Sequence, residues 1–490
     1  MKIALVNLYR PFRFPYLPLA IAQLNADLRN RGIKPEIIDF NVMPFKDKSL
    51  SDSFNLFFSH NQELVDYVFN NKKNEEISAF YDTLIKKNKL DKFDVVGFSI
   101  SLPLQIVPAL ILSKKIKKLS NAKIVFGGAF NIGSAALTSL DDVDFIIRKY
   151  GEESFYLLIK NISGDPIPFS QIPGLVYKNK KNCIKNEIKD PSIDFLPGPS
   201  FEGFDIGAYK FIPKDSINRI NNILSTSFPL NYHEKKVLVL PYNFMIGCPY
   251  SCFFCCNDKK NLQVRKLDSI LNQIEFLSKK YKTRHFNFLN STFNISNKFV
   301  NSFYSAFKER GIDITWNDSA RPDINILSLE TMRKLNNIGC NGFVYGIESG
   351  SQEILFNMNR RYPIKGIEKI LKESKRLGMW VSANFIVGFP HESETQFNET
   401  LKFIKNNFNY IESFTISKFR LHPTSYIAKN LEKFQIKMTD GFDVNQIISD
   451  AHFASNFDEL GGLSAKQKTT QQHERLNKLQ GRIIELANPN

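Results

Sequence analysis

The residues of this sequence with the clearest chemical meaning are three cysteines in one short segment, Cys248-Pro-Tyr-Ser-Cys252-Phe-Phe-Cys255. Thiolates are soft ligands that suit iron–sulfur clusters and zinc. Three thiolates in one loop can hold three irons of a cubane cluster and leave the fourth iron open to a non-protein ligand. Because the segment follows a strand-like run at 236–246, the pattern predicts a [4Fe-4S] centre at a strand end.

Zinc and disulfide chemistry are the alternatives for these cysteines. A structural zinc site needs four protein ligands in tetrahedral array, and the fourth cysteine nearby, Cys256, directly follows Cys255. Six cysteines in 490 residues are sparse for a disulfide framework. Cys183 and Cys340 are expected to be buried small apolar side chains. The cluster is therefore the favoured interpretation.

Strand and helix signals alternate over the N-terminal 162 residues, which form the first predicted domain. Strands are expected at 2–8, 36–40, 94–101, 123–128 and 144–147, and helices at 19–31, 51–89, 107–119 and 153–162. This alternation predicts an α/β fold with a doubly wound, Rossmann-like parallel sheet. Such sheets bind ligands beyond the carboxyl ends of their strands. The residues at those ends are Ser99, Ser101, Gly127, Gly128, Gly151 and Glu152.

A second alternation follows a linker at 163–235, which is rich in Pro, Gly and Asn and carries a small predicted hairpin at 174–178. The second predicted domain covers 236–420, and a small helical C-terminal region, with a charged helix at 464–487, covers 421–490. Strands of the second domain are expected at 236–246, 285–289, 313–317, 342–347, 381–387 and 413–418.

The cysteine spacing after a strand resembles that of the radical S-adenosylmethionine (SAM) enzymes, whose open iron chelates the amino and carboxylate groups of SAM. Phe254, just before the last cysteine, also fits, since that family usually carries an aromatic residue there. The six βα units match the family's partial (β/α)6 barrel, in which catalytic groups gather at the C-terminal strand ends. The resemblance implies Cys248, Cys252 and Cys255 as cluster ligands and reductive cleavage of SAM to a 5′-deoxyadenosyl radical.

Segments downstream of the cysteines carry the same resemblance. Gly346-Ile-Glu-Ser-Gly350 matches a family signature, which implies that Glu348 and Ser349 contact the SAM ribose. Gly388, in Val387-Gly-Phe-Pro390, matches the segment that packs on adenine. Arg321 stands where the family often places a charged contact to the methionine part of SAM.

One position departs from the family pattern. The second barrel strand often ends in Gly-Gly-Glu, or in an Asp-containing segment in members with a cobalamin domain, to hold the SAM amino group. Here Asn290 stands at that position. Its amide oxygen can accept a hydrogen bond, but the negative charge is missing.

The first domain resembles the cobalamin-binding domain that precedes the barrel in one branch of the family. The matching segments are 10–18, 96–101, 126–128, 150–152, 172–177 and 195–199. The resemblance implies that the small residues at the strand ends allow cobalamin to lie against the backbone. The Asp-x-His-x-x-Gly motif of other cobalamin proteins is absent, and Tyr150 replaces a usual Glu. A domain of the same shape that binds no cofactor is the alternative.

The activity that this resemblance implies is cobalamin-dependent methylation of an unactivated carbon. Cyclisation or rearrangement without methyl transfer is the alternative within the family. A cluster-bearing nucleic-acid-binding protein is a third interpretation, but no basic β-rich tail after the barrel supports a nucleic-acid partner. A small-molecule or peptide substrate and an electron donor such as flavodoxin or ferredoxin are the implied partners.

Composition limits the remaining possibilities. Hydrophobic residues make up 43% of the chain. The sequence contains no apolar run of about 20 residues, so no membrane-spanning helix is expected. The N-terminal run reads as a buried strand and not as a signal peptide, and an oxygen-sensitive cluster indicates the cytoplasm. The net charge of +16 accompanies many Lys and Asn and 44 Phe, which is typical of an AT-rich genome. The charge also leaves an anionic substrate open.

Overall fold

A computed structural model describes most of the chain, and the structural statements below concern this part only. The described residues are 1–10, 16–58, 62–128, 142–179, 182–211, 223–224, 232, 234, 236–256, 262–439 and 456–488. They divide into two compact units, an N-terminal unit of residues 1–209 and a barrel unit of the described residues from 210 to 488. Residues 11–15 of the predicted loop at 10–18, and residues 129–141 directly after Gly128, lie outside the described residues. The domain bounds predicted from sequence stay predictions.

The N-terminal unit is built on one sheet, as predicted. Its strands are β1 Ile3–Asn7, β2 Glu36–Asp39, β3 Val95–Ser99, β4 Lys123–Gly127, β5 Phe145–Ile147, β6 Leu175–Asn179 and β7 Asn182–Lys185. Their order is β2-β1-β3-β4-β5-β6-β7, with parallel pairing from β2 to β5. β1 is buried at every position, as expected of a strand covered by helices on both faces.

The predicted hairpin of the linker belongs to this sheet. β6 pairs antiparallel with β5, and β7 pairs antiparallel with β6. The hairpin therefore extends the sheet instead of standing in a separate linker. The sequence pattern could not show this, because a short hairpin carries no signal for the strand beside which it docks.

Helices cover the N-terminal sheet. They are α1 Leu19–Asn30, α2 Met43–Lys46, α3 Ser51–Phe57, α4 Gln62–Phe69, α5 Glu75–Lys87, α6 Ile106–Leu119 and α7 Glu152–Ile162. The predicted helical insert at 51–89 corresponds to α3, α4 and α5, whose buried side chains join the core that α6 lines. Asn74 begins α5 by accepting a hydrogen bond from the amide of Ile77, a common helix cap.

The barrel unit contains a parallel sheet in chain order, the partial barrel that the sequence predicts. Its strands are β8 Val239–Tyr242, β11 His285–Phe288, β12 Thr315–Ala320, β13 Cys340–Glu348, β14 Trp380–Val387 and β15 Ser413–Lys418, and two short strands, β9 Met245–Ile246 and β10 Gln263–Val264, pair with each other. The run predicted as one strand at 236–246 is thus divided. Asn243 breaks it, because its side chain accepts from the amide of Met245 and donates to the carbonyl of Leu289.

Helices alternate with these strands, and a short antiparallel pair precedes the last helix. The helices are α8 Leu267–Tyr281, α9 Asn297–Arg310, α10 Leu329–Asn337, α11 Gln352–Asn357, α12 Ile364–Arg376, α13 Glu394–Asn407 and α14 Ala465–Ala487; the paired strands are β16 Ile436–Thr439 and β17 Asn456–Glu459. The C-terminal region is helical as predicted, but the sequence pattern missed its two strands. α13 and α14 each begin with a capping box, at Ser393 and Ser464.

Candidate cofactor site at the strand ends

The cysteine loop follows β9 and is anchored by two other parts of the barrel. The amide of Phe253 donates to the carbonyl of Met358 at 3.1 Å, and Asn359 Nδ2 donates to the carbonyl of Ser251 at 2.7 Å. The hydroxyl of Tyr250 donates to the carbonyl of Asn294 at 2.6 Å. These bonds fix the loop to the end of α11 and to the segment after β11.

The three predicted ligands Cys248, Cys252 and Cys255 are half-buried, whereas Cys256 is exposed. Among the described residues, no group of three His, Cys, Asp or Glu side chains is arranged to hold a single metal ion. A cubane cluster takes one thiolate per iron, so its cysteines need not converge on one point. Three thiols of suitable softness in one anchored loop therefore fit the [4Fe-4S] cluster.

A cation lies beside these thiols. Arg321 Nη1 is 3.0 Å from Cys252 Sγ, and its guanidinium carbon lies 4.0 Å from the ring centre of Tyr250. Arg321 directly follows β12 and is only 7% exposed. The guanidinium therefore places a positive charge directly beside this sulfur. At Cys248, burial raises the pKa of the thiol, and the nearby charge of Arg321 opposes that rise.

Glu348, the last residue of β13, belongs to a buried ion pair. Its Oε1 accepts from Arg360 Nη2 at 2.6 Å, and both side chains are less than one-tenth exposed. Arg360 Nη1 also donates to the carbonyl of Gly346 and to the hydroxyl of Tyr362. Burial raises the pKa of Glu348, and the two nearby arginines oppose that rise. No sequence pattern indicated Arg360, because two adjacent arginines after a short helix carry no periodicity.

Two further predicted residues flank this pair. The guanidinium of Arg360 lies 5.6 Å from the ring centre of Phe254 in the cysteine loop. Ser349 Oγ is 3.1 Å from Thr400 Oγ1 and accepts a hydrogen bond from the amide of Ser351. The structure thus brings the cysteine loop and the end of β13 together through Arg360.

Asn290 lies after β11 and is paired with a carboxylate of the next strand. Its Nδ2 donates to Asp318 Oδ2 at 2.6 Å, and its backbone amide donates to Asp318 Oδ1 at 3.2 Å. Asn290 Oδ1 accepts from the amide of Phe244 at 3.2 Å. Burial raises the pKa of Asp318 well above its usual value. The carboxyl group of Asp318 thus lies beside Asn290, the position at which the negative charge of the family pattern is missing.

Gly388 lies just after β14 with a positive φ of 74°. Its amide donates to Glu392 Oε2 at 2.7 Å, and its carbonyl accepts from Gln472 Nε2 at 3.1 Å. Asn290, Arg321, Glu348 and Gly388 thus lie at the carboxyl ends of the consecutive strands β11, β12, β13 and β14. Because these strands are parallel neighbours, their carboxyl ends form one edge of the sheet.

In the N-terminal unit, the predicted residues also gather at the carboxyl edge of their sheet. The amide of Ile100 donates to the carbonyl of Gly127 at 2.7 Å, which joins the ends of β3 and β4. Gly128 has φ of +124°, and a Cβ there would lie 2.2 Å from the carbonyl oxygen of Ile100. Among the described residues beyond the adjacent ones, the nearest atom to such a Cβ at Gly127 is 3.9 Å away, and none lies within 4 Å at Gly151. The open space at these two glycines fits a cofactor that lies against the backbone.

The strand order also identifies a crevice in this unit. The chain goes from β1 outward to β2 and then returns to β3 on the other side, so the topological switch point, where such sheets bind ligands, lies between β1 and β3. Gln105 bridges it: Nε2 donates to the carbonyls of Leu8 and Tyr9, and Oε1 accepts from the amide and hydroxyl of Ser101. Gln105 is fully buried, and no sequence pattern indicated it.

The remaining predicted positions lie at the neighbouring strand ends. Ser99 is the last residue of β3. Gly151 is the residue before α7, and Glu152 is the first residue of that helix. Burial raises the pKa of Glu152.

No described helix is long and apolar enough to cross a membrane.

Comparison with known proteins agrees with this arrangement. Residues 242–404 match the family model of the Radical SAM superfamily, a family that implies a [4Fe-4S] cluster and SAM. An uncharacterised methyltransferase of Pyrococcus horikoshii is 25% identical over 325 residues, which cover 64% of this chain and 64% of that protein. The match therefore spans less than two thirds of the relative's own length.

Two solved structures share the fold over at least 94% of this chain. The radical SAM methyltransferase TsrM from Kitasatospora setae, with cobalamin and a [4Fe-4S] cluster bound, is 15% identical with a TM-score of 0.64, and the match covers 100% of this chain and 90% of TsrM. The cobalamin-dependent radical enzyme OxsB, with aqua-cobalamin bound, is 17% identical with a TM-score of 0.63, over 94% of this chain and 64% of OxsB. The chain therefore carries a radical SAM domain and has the fold of the cobalamin-dependent radical SAM enzymes.

Proposed function

We propose that this protein is a cobalamin-dependent radical SAM methyltransferase that methylates an unactivated carbon. The observation that carries the proposal is the edge of the barrel sheet, where Asn290, Arg321, Glu348 and Gly388 occupy four adjacent strand ends beside the cysteine loop. Polar groups that converge from several strand ends are typical of catalytic sites in barrels.

The cofactors would supply the difficult chemistry: when bound, the cluster delivers the electron that cleaves SAM, and cobalamin carries a methyl group. In this proposal Cys248, Cys252 and Cys255 hold the cluster. Arg321 adds positive charge beside Cys252. Arg360 fixes the carboxylate of Glu348, so that a ribose would meet an acceptor already held in place.

The N-terminal 162 residues are the proposed cobalamin-binding domain. Support comes from the open backbone at Gly127 and Gly151 and from the switch point between β1 and β3. Ser99, Ser101, Gly128 and Glu152 lie at the same edge of the sheet. The proposed partners are a small-molecule or peptide substrate and an electron donor such as flavodoxin or ferredoxin, and the proposed location is the cytoplasm.

The test requires no knowledge of the substrate. Protein reconstituted anaerobically with iron, sulfide and hydroxocobalamin is incubated with SAM and a strong reductant, and the products are measured by mass spectrometry. We expect 5′-deoxyadenosine from reductive cleavage and S-adenosylhomocysteine from loss of the SAM methyl group. Formation of 5′-deoxyadenosine alone, by cobalamin-loaded protein, would favour cyclisation or rearrangement. The absence of both products from protein with a full cluster would exclude radical SAM chemistry.

A further inference from the structure

The last helix, α14, presents an unusual buried stripe to the rest of the barrel unit. Its buried residues are Lys468, Gln472, Arg475, Leu479 and Ile483. Their spacing of three or four residues places them on one face of the helix. The two apolar members are ordinary core residues, but Lys468, Gln472 and Arg475 are only 2%, 7% and 4% exposed. Buried charged and amide groups are costly unless they are paired, so their partners indicate what they do.

Gln472 holds the backbone at the ends of two barrel strands. Its Nε2 donates to the carbonyl of Gly388, after β14, and to the carbonyl of Phe419, after β15, each at 3.1 Å. The contact is close, because a Cβ at position 388 would lie 2.3 Å from Gln472 Cγ. One side chain of α14 therefore fixes both strand ends.

Arg475 holds the same segment through a carboxylate. Its Nη1 donates to the carbonyl of Glu392 at 3.0 Å and to Glu392 Oε2 at 2.9 Å. The same Oε2 accepts from the amide of Gly388 at 2.7 Å. The carbonyl of Gly388 is thus held directly by Gln472, and its amide is held by Glu392, which Arg475 positions.

Lys468 completes the set of contacts. Its Nζ donates to the carbonyl of Phe389 at 3.0 Å and forms an ion pair of 2.6 Å with Glu459 Oε1. Glu459 Oε1 also accepts from the amide of His391 at 2.7 Å. The turn from Gly388 to Glu392 is therefore held along its length by a helix whose contacting residues lie about 80 positions later in the chain.

We propose that α14 positions the nucleoside-binding segment of the SAM site, with Gln472 and Arg475 as positioning residues that act through Gly388 and Glu392. This inference rests on the proposed function, in which the segment that begins at Gly388 packs on adenine. A binding site is precise only when the groups that line it are locked by their neighbours. Here the lock is provided by polar side chains of the C-terminal helix.

The test compares SAM affinity with stability in anaerobically reconstituted protein. Gln472→Leu keeps the approximate size of the side chain but removes both hydrogen bonds. We expect SAM to bind about tenfold more weakly, since loss of the donor leaves two buried carbonyls unpaired. Iron content should remain that of the wild type. Arg475→Leu should weaken SAM binding similarly, and Arg475→Lys, which keeps a cationic donor, should recover part of the affinity.

Leu479→Ala is the matched control. Leu479 lies on the same face of α14, two turns beyond Gln472, and is fully buried. Its truncation should lower the thermal midpoint at least as much as Gln472→Leu does but leave SAM affinity near the wild-type value. Equal loss of SAM affinity in Leu479→Ala and Gln472→Leu would overturn the positioning role, as would wild-type affinity in Gln472→Leu and Arg475→Leu. If the wild type with a full cluster binds no SAM, the proposed function itself fails.

Discussion

At the scale of single residues, the first prediction concerns which of two adjacent cysteines, Cys255 or Cys256, is the third ligand of the cluster. Replacing Cys248, Cys252 or Cys255 by Ala should remove the cluster, because each thiolate is expected to hold one iron. Cys256→Ala, which changes an exposed neighbour in the same loop, should keep about four irons per chain. Iron and sulfide analysis after anaerobic reconstitution measures the difference. A protein that needs Cys256 but not Cys255 would contradict the assignment.

The ion pair between Glu348 and Arg360 gives a second prediction at this scale. Arg360→Met leaves a buried carboxylate without its partner and should destabilise the barrel unit by about 3–5 kcal/mol. Adding Glu348→Gln should recover much of that loss, because the uncompensated charge is then gone. Thermal unfolding of the two variants measures the effect. If the single and the double variant lose equal stability, the negative charge of Glu348 is not what Arg360 compensates.

Strand ends are the elements that the cobalamin proposal depends on. Gly127→Trp places a large side chain where the backbone edge is open, so it should abolish binding of hydroxocobalamin and leave the iron content unchanged. Gly127→Ala is the control, because its methyl group would meet its nearest neighbour at an ordinary contact distance of 3.9 Å. Absorbance after reconstitution reports the bound cobalamin. Full binding by Gly127→Trp would argue against this edge as the cofactor site.

Gly128 is unsuitable for the same experiment. A side chain there would collide with the carbonyl of Ile100, and its φ of +124° disfavours any residue with a Cβ. Gly128→Ala should therefore destabilise the N-terminal unit whether or not cobalamin binds. Variants at Gly127 therefore test access of the ligand, whereas variants at Gly128 test the backbone turn.

The whole molecule consists of two units of the same construction. Each has a sheet with at least five adjacent parallel strands, which an antiparallel hairpin extends in the N-terminal unit, and in each the predicted binding residues lie at the carboxyl edge of the parallel strands. The alternation of strands and helices predicted both sheets, because burial of a parallel strand requires a local apolar run that is visible in the sequence. The same apolar runs predict strand ends at Ser99, Gly127, Glu348 and Gly388 without any knowledge of tertiary contacts.

The hydrogen-bond partners of the site residues depend on the three-dimensional fold. Arg360 lies 12 positions from Glu348, Asp318 lies 28 from Asn290, Gln472 lies 84 from Gly388, and Gln105 lies 97 from Leu8. A single polar residue has no periodicity, so nothing in the chain alone indicates which distant group it will meet. The cysteine spacing and the apolar runs were enough to predict the chemistry of the cysteine loop and the strands that carry the candidate site. Only folding brought those strand ends together with the side chains that fix them, because such pairs are selected by burial and hydrogen bonding.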